Sequence, residues 1–428
     1  MKKAPLILQP NGIELQIIQT ARHMRSILFF CCISFWCLNA TSQQAKSFHA
    51  DKKLLSAIDK NFKDAAAQYK LLTAKLPEQK FPKTYFPTKD QYEFSSSGWW
   101  CSGFYPGTLL YLYQQTKDTA LYNAAEKSMH YLQKEQHNTS THDLGFMMYC
   151  SFGNANKIRS SQENIDILMN SARSLATRFD AQVGCIKSWD RTNWKFPVII
   201  DNMMNLELLF WATHQSGDSS FYKIAVSHAN TTMKNHFRPD YSSYHMVNYD
   251  PQTGAVIARK TVQGYADSSA WARGQAWGLY GYTVMYRETK NTTYLHEAEH
   301  IADFILNHPN YPADGIPYWD FNVPDIPHAL RDASAAAIMA SAWIELYRYT
   351  DRQRAKKYLS AAEKVLRTLS TDMYKAKAGE NGGFILKHGV GHMPNKSEVD
   401  VPLTYGDYYF VEAMVRYKKI GSGLFVRN

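Results

Sequence analysis

Apolar positions recur at helical spacing along most of the chain. Lys52 to Lys75 (KKLLSAIDKNFKDAAAQYKLLTAK) predicts one amphipathic helix, and Tyr294, Ala298, Ile301, Ala302 and Ile305 mark the buried stripe of another. A join between helices repeats four times: Thr116 to Tyr122, Ser216 to Tyr222, Thr289 to Leu295 and Thr350 to Arg354. Each carries an Asp or Asn (Asp118, Asp218, Asn291, Asp351) placed to N-cap the helix that follows. The unit is therefore a helical hairpin: an apolar, Trp-rich helix, a short turn, then a more polar helix. Its spacing is too irregular for a solenoid of fixed period. A Pro-containing loop is expected from Leu76 to Phe94, with a helix entered near Pro106. Strand character is confined to Val256–Thr261 and Gly383–Lys387. The long connections, Arg238 to Ala270 and Asn310 to Arg331, carry Gly, Pro, Tyr and Asp and read as site-forming loops. No linker interrupts the pattern. The expected fold is all-α, one domain over residues 43–428, with helix pairs closed into an α/α barrel and the inner helix starts converging at one end.

The beginning of the chain breaks this pattern. Ser26 to Ala45 carries no charge, and Met24-Arg25 precedes the apolar run Ile27 to Ile33 and Phe35 to Leu38. Ala40-Thr41-Ser42 supplies small residues at cleavage spacing, so residues 1–42 read as a secretory signal with translation starting at Met24. The reading is of an exported protein, periplasmic or secreted. No second long apolar run exists, so no membrane span is expected. Three of the six cysteines fall in this segment. Cys101, Cys150 and Cys185 remain, with no metal-like spacing and room for one disulfide at most.

Composition adds two constraints. Hydrophobic content is 45% and charged content 20%, ample for a core, and aromatics reach 14%. The formal charge is +10; residues 1–42 hold four basic residues and one acidic, which leaves +7 for the rest. A basic exported protein favours anionic partners, yet no basic run of the nucleic-acid kind occurs. An acidic polysaccharide fragment is the natural partner.

The densest chemistry lies in Thr261 to Gly278, TVQGYADSSAWARGQAWG, where Ala270 onward starts a helix. Gln263, Asp267, Trp271, Arg273, Gln275 and Trp277 fall within fifteen positions. Trp271 and Gln275 are one turn apart, as are Arg273 and Trp277. Indole faces suit sugar rings, and a planar guanidinium suits a carboxylate. A core helix has no need of Gln and Arg between its tryptophans. Two aspartates also stand at the start of apolar helices: Asp143 in THDLGF, beside His142, and Asp201 in FPVIIDNMMNL. Either alone could be an N-cap. Both together, amid Trp99, Trp100, Phe104, Tyr105, Trp189 and Trp194, suggest a carboxyl pair held against aromatic surfaces, the apparatus of glycoside cleavage.

HDLGF, IIDNMMNLELLFWA, TVQGYADSSAWARGQAWGLYGY and the late YGDYYFVEAM resemble the unsaturated glucuronyl hydrolases, glycoside hydrolase family 88, from about Ser96 to Arg416. The resemblance implies an (α/α)6 barrel. It implies removal of the non-reducing 4,5-unsaturated uronic acid that polysaccharide lyases leave on glycosaminoglycan- or ulvan-type fragments. The reaction so implied hydrates the C4=C5 vinyl ether and needs no metal or cofactor. Asp201 would be the general acid/base and Asp143 the second carboxylate. Gln263, Arg273, His245, Trp189, Trp100 and His142 would contact substrate, with Trp271 and Trp277 as aromatic walls and Arg273 as the receiver of the uronate carboxylate. Apart from the resemblance, the glycine-rich and basic stretch Gly382 to Lys396 is expected to border the leaving sugar, with Lys387, His388, His392 and Lys396 meeting sulfates; the Ser/Lys pattern of family members that prefer sulfated chondroitin is absent from it. Three alternatives share these residues: an unsaturated rhamnogalacturonyl hydrolase acting on pectin fragments, a conventional inverting glycosidase, and a non-catalytic binder of acidic glycans.

Overall fold

The computed structural model describes Met1, residues 49–190 and residues 193–421. The signal segment expected at residues 1–42 lies, Met1 apart, outside the described residues. Residues from Ala50 onward form one compact unit.

Six amphipathic helices make an outer ring: α1 (Lys52–Lys75), α3 (Thr119–Leu132), α5 (Gln162–Ala176), α7 (Ser219–His236), α9 (Thr292–Asn307) and α11 (Arg352–Leu369). Each buries one stripe; in α11 it is Ala355, Tyr358, Leu359, Ala362, Val365, Leu366 and Leu369. The inner partners are buried on nearly every side: α2 (Phe104–Thr116), α6 (Leu206–Ser216), α8 (Ala272–Thr289), α10 (Ala333–Leu346) and α12 (Thr404–Gly421). The sixth inner element is a π-helical segment, Gly145–Gly153, continued by the short helix α4 (Asn154–Ile158). The architecture is an (α/α)6 barrel: the hairpin pattern predicts the α/α barrel, and the family resemblance its six-fold form.

The joins work by simple turn chemistry. Lys117, Gly217 and Lys290 end inner helices in the left-handed region, at φ of 60°, 74° and 58°. The next residue, Asp118, Asp218 or Asn291, then accepts a backbone N–H of the following outer helix. Asp351 caps α11 by accepting from the N–H groups of both Gln353 and Arg354. Asp351→Ala is expected to lower stability by about 1 kcal/mol, read as a reduced urea midpoint at unchanged slope.

Strands are more numerous than the sequence suggests. Leu76 to Phe94, expected as a loop, contains the antiparallel hairpin β1 (Phe81–Phe86) and β2 (Gln91–Ser95). Its prolines hid it: Pro82 sits at a register shift, and Pro87 opens the turn. Two short strands, β3 (Phe179–Asp180) and β4 (Cys185–Ile186), pair with each other. A three-stranded sheet joins β5 (Phe196–Ile199), β6 (Met246–Tyr249) and β7 (Val256–Lys260), the last where expected. The strand expected at Gly383–Lys387 lies further on, as the hairpin β8 (Gly389–His392) and β9 (Ser397–Val401). Lys396, Glu398 and Asp400 all have φ between 52° and 56°, so no regular alternation marks this hairpin in the sequence. Cys101, Cys150 and Cys185 are free thiols. Among the described residues no helix is long and apolar enough to cross a membrane.

Candidate active site

A cavity of about 370 Å³ opens where the inner helices begin. Trp100 precedes α2, Asp143 precedes the π-helical segment, Arg273 lies in the first turn of α8 and Tyr405 in that of α12, and all four line it. Helix N-termini carry partial positive charge, which favours an anionic occupant.

Strand register delivers Asp201. Ile199 on β5 pairs with Met246 on β6, and the Ile200 N–H donates to the His245 carbonyl (2.9 Å). The residues just beyond these ends, Asp201 and His245, are thereby set side by side, with His245 Nε2 3.5 Å from Asp201 Oδ2. Asp201 lies in a 3₁₀ turn, Ile200–Asn205, and is 7% exposed. Among the described residues neither His245 ring nitrogen nor Asp201 Oδ2 has a hydrogen-bond partner, although all three atoms are buried. The imidazole packs edge-on between Trp271 (4.9 Å between ring centres) and Trp189 (5.8 Å). Buried polar atoms without partners are costly, and here they cluster around one carboxyl.

Asp143 is held from the opposite segment. Its N–H donates to Thr141 Oγ1, and Thr141 Oγ1 donates to Asp143 Oδ2 (3.3 Å). His142 Nε2 lies 3.4 Å from Asp143 Oδ2. Asn205 connects the two aspartate-bearing segments: its Oδ1 accepts from the Phe146 N–H (2.9 Å), and its Nδ2 donates to Asp143 Oδ1 (3.5 Å). The approach is so close that a Cβ on Gly145 would lie 2.5 Å from the Asn205 Cα. Asn205 went unnoticed in the sequence. Its only signal was its position one helical turn after Asp201.

Burial raises the Asp143 pKa; the neighbouring His142 opposes that shift and the Asp201 carboxyl adds to it. A carboxyl whose folded-state pKa lies above its unfolded value favours folding below the unfolded value, and that contribution is lost as pH rises through the folded one. Asp143→Asn is therefore expected to gain stability over the parent protein as pH rises from 4 towards 8. Urea titrations at several pH values read this, and a constant difference would contradict it.

The remaining expected residues are placed as follows. Gln263, Trp189 and Trp100 line the cavity beside Asp143. His142 is 1% exposed, stands against Asp143 and is not among the lining residues. Trp271 and Trp277 are 1% and 0% exposed and are not at the lining. Trp271 backs His245 and Arg273, while Trp277 packs on Phe146 and Tyr409 as floor, so neither forms an aromatic wall. The walls are Trp99, Trp100, Trp189 and Tyr405.

Arg273 lines the cavity with its guanidinium already bonded. Its Nη1 donates to Asp332 Oδ2 (2.8 Å) and to the Val390 carbonyl, and its Nη2 donates to the Gly391 carbonyl and to Gln263 Oε1 (3.3 Å). The guanidinium stacks 4.4 Å from the Trp271 ring. Both arms of the fork are engaged, and they fasten β8 to α8.

A larger cavity, about 640 Å³, lies at the other end of the barrel, lined by the later turns of α2, α8 and α12. Its arginines and glutamates pair with one another: Arg287 binds Glu207, Glu288 and Glu345, and Arg416 binds Glu345 and Glu412. The unpartnered Asp201 and His245 atoms lie instead behind Trp189, which lines the first cavity.

An α/α barrel with two carboxyl groups among aromatic rings at one mouth is the plan of a glycoside hydrolase. The sequence profile of Glycosyl Hydrolase Family 88 matches residues 73–427. The unsaturated glucuronyl hydrolase of Formosa agariphila is 44% identical over 387 residues, 90% of this chain and 94% of its own. The unsaturated chondroitin disaccharide hydrolase of Streptococcus pneumoniae is 33% identical over 327 residues, 75% and 82% of the two chains. The crystal structure of an unsaturated glucuronyl hydrolase specific for heparin superposes with a TM-score of 0.83 at 46% identity, covering 86% of this chain and 98% of that one. The chain belongs to glycosyl hydrolase family 88 and is a glycosidase.

Proposed function

We propose that the protein removes the non-reducing 4,5-unsaturated uronic acid from lyase-generated acidic oligosaccharides by hydrating the C4=C5 vinyl ether. The observation that carries this reading is the Asp201–His245 pair, whose buried atoms lack partners, set beside the Asp143-lined cavity. Asp201 as acid gives a proton to C4. Positive charge then develops at C5 and the ring oxygen, where an ionised carboxylate stabilises it. Water adds to C5 and its proton returns to the carboxylate. The resulting hemiketal opens to a C5 ketone, the ring oxygen leaves C1 a hemiacetal, and collapse at C1 releases the neighbouring sugar. Asp143 binds the ring and supports the developing charge, His245 stands against Asp201, and Gln263, Trp189 and Trp100 contact the sugars. The names of the relatives, one specific for heparin and one acting on unsaturated chondroitin disaccharide, support a glycosaminoglycan-derived substrate. The charge-free run from Ser26 to Ala45 supports export, with the periplasm as the working compartment.

The test is a panel of lyase-made disaccharides from heparin, chondroitin, hyaluronan and ulvan, followed by the ultraviolet absorbance of the C4=C5 bond. At least one is expected to lose that absorbance. Binding without any loss would leave a glycan binder or a hydrolase of saturated sugars.

A further inference from the structure

Of the basic side chains expected to meet sulfates, only His392 lines the cavity among the described residues. Lys387 Nζ donates to the Asp372 carbonyl, and His388 Nδ1 pairs with Asp400 at 2.7 Å. Neither lines the cavity, nor does Lys396. The basic groups that do are Arg273, Lys83 and His392. Arg273 is committed to Asp332 and the β8 carbonyls. Lys83, on β1, lies 2.5 Å from Glu93 Oε1 and 3.9 Å from Glu398 Oε2, so two carboxylates balance its one charge. Glu398 itself lines the cavity, projected from β9 by a backbone at φ 56°. Gly391 opposite makes room for it: a Cβ there would lie 2.6 Å from the Glu398 Cβ. Beside this pair Lys83 covers the ring of Trp99 at 5.0 Å, and that indole is 41% exposed at the rim.

We propose that Glu398 is a specificity-determining residue: with Lys83 and Trp99 it receives an uncharged leaving sugar and disfavours one carrying an O-sulfate. The inference rests on the reading that the unsaturated uronate occupies the part of the cavity beside Asp143 and Asp201. Lys83, Trp99 and Glu398 line the same cavity, and the inference seats the neighbouring sugar against them. A carboxyl, ionised or protonated, is a hydrogen-bond partner for a sugar hydroxyl, whereas a sulfate needs an unbalanced cation. The exposed indole supplies an apolar face for a neutral pyranose.

The experiment compares unsaturated chondroitin disaccharides that are unsulfated or 6-O-sulfated on the hexosamine. The parent protein is expected to show kcat/KM on the order of ten-fold higher for the unsulfated one, and Glu398→Gln to shrink that ratio at least about three-fold. The ratio is readable even if both rates fall. Calorimetric binding of the same two compounds to Asp201→Asn reads the discrimination without chemistry. Equal or reversed preference in the parent protein, or an unchanged ratio in Glu398→Gln, overturns the assignment. Discrimination in binding with no loss of the C4=C5 bond keeps the role of Glu398 and overturns the hydration reading instead.

Discussion

Asp201→Asn is expected to lower kcat by about 10³-fold or more while leaving the dissociation constant for the unsaturated disaccharide within a few-fold. The amide keeps the size and place of the carboxyl, in the 3₁₀ turn after β5 and 3.5 Å from His245, so the cavity should persist. What it loses is the proton for C4 and the base for the incoming water. Effects of this size arise only where a group acts in the transition state and contributes little to ground-state binding. Single-turnover rates with calorimetric binding separate the two quantities. A parallel loss of affinity and rate would make Asp201 a binding residue.

Arg273→Met is expected to cost about 3–5 kcal/mol of stability, since it leaves the fully buried Asp332 without its cation. Asp332 also caps α10, accepting from the Ser334 N–H and hydroxyl, so its loss of balance reaches a central inner helix. The same change frees the carbonyls of Val390 and Gly391 and should loosen β8 against the site. Adding Asp332→Asn should recover part of the loss, because the uncompensated charge is then gone; a double-mutant cycle by urea unfolding reads the coupling. Additive losses would mean that the pair is not what fastens the hairpin. If Arg273 were instead the receiver of the uronate carboxylate, KM would rise with stability nearly intact.

Local rules explain what was legible in the sequence. Asp118, Asp218, Asn291 and Asp351 announce their helices within two or three residues, because a cap bonds to its own turn. Outer-helix stripes are equally local, and together they define the barrel. The hairpins β1–β2 and β8–β9 were not legible, one masked by proline and the other by a run of left-handed residues that few side chains favour. Site residues divide in the same manner. Asp143 and Asp201 stand out by type and context, yet the contact of Asp201 with His245 depends on the register of β5 against β6, 44 positions apart in the chain. The partners of Arg273 were not legible because they are distant, with Asp332 59 residues away and Gly391 118. The packing of Trp277 on Phe146 and Tyr409 was not legible, because its sequence neighbours are polar and those partners are distant in the chain.

The central claim is that chemistry begins at C4=C5 and not at the anomeric carbon. Both routes end with the unsaturation gone, because a freed unsaturated uronate can itself rearrange, so the order of events decides. The measurement is a rapid-mixing time course on one disaccharide, following C4=C5 absorbance and the released sugar in the same reaction. Hydration predicts that absorbance falls no later than the sugar appears. Release of the sugar ahead of the absorbance change would place the attack at the anomeric carbon and contradict the account.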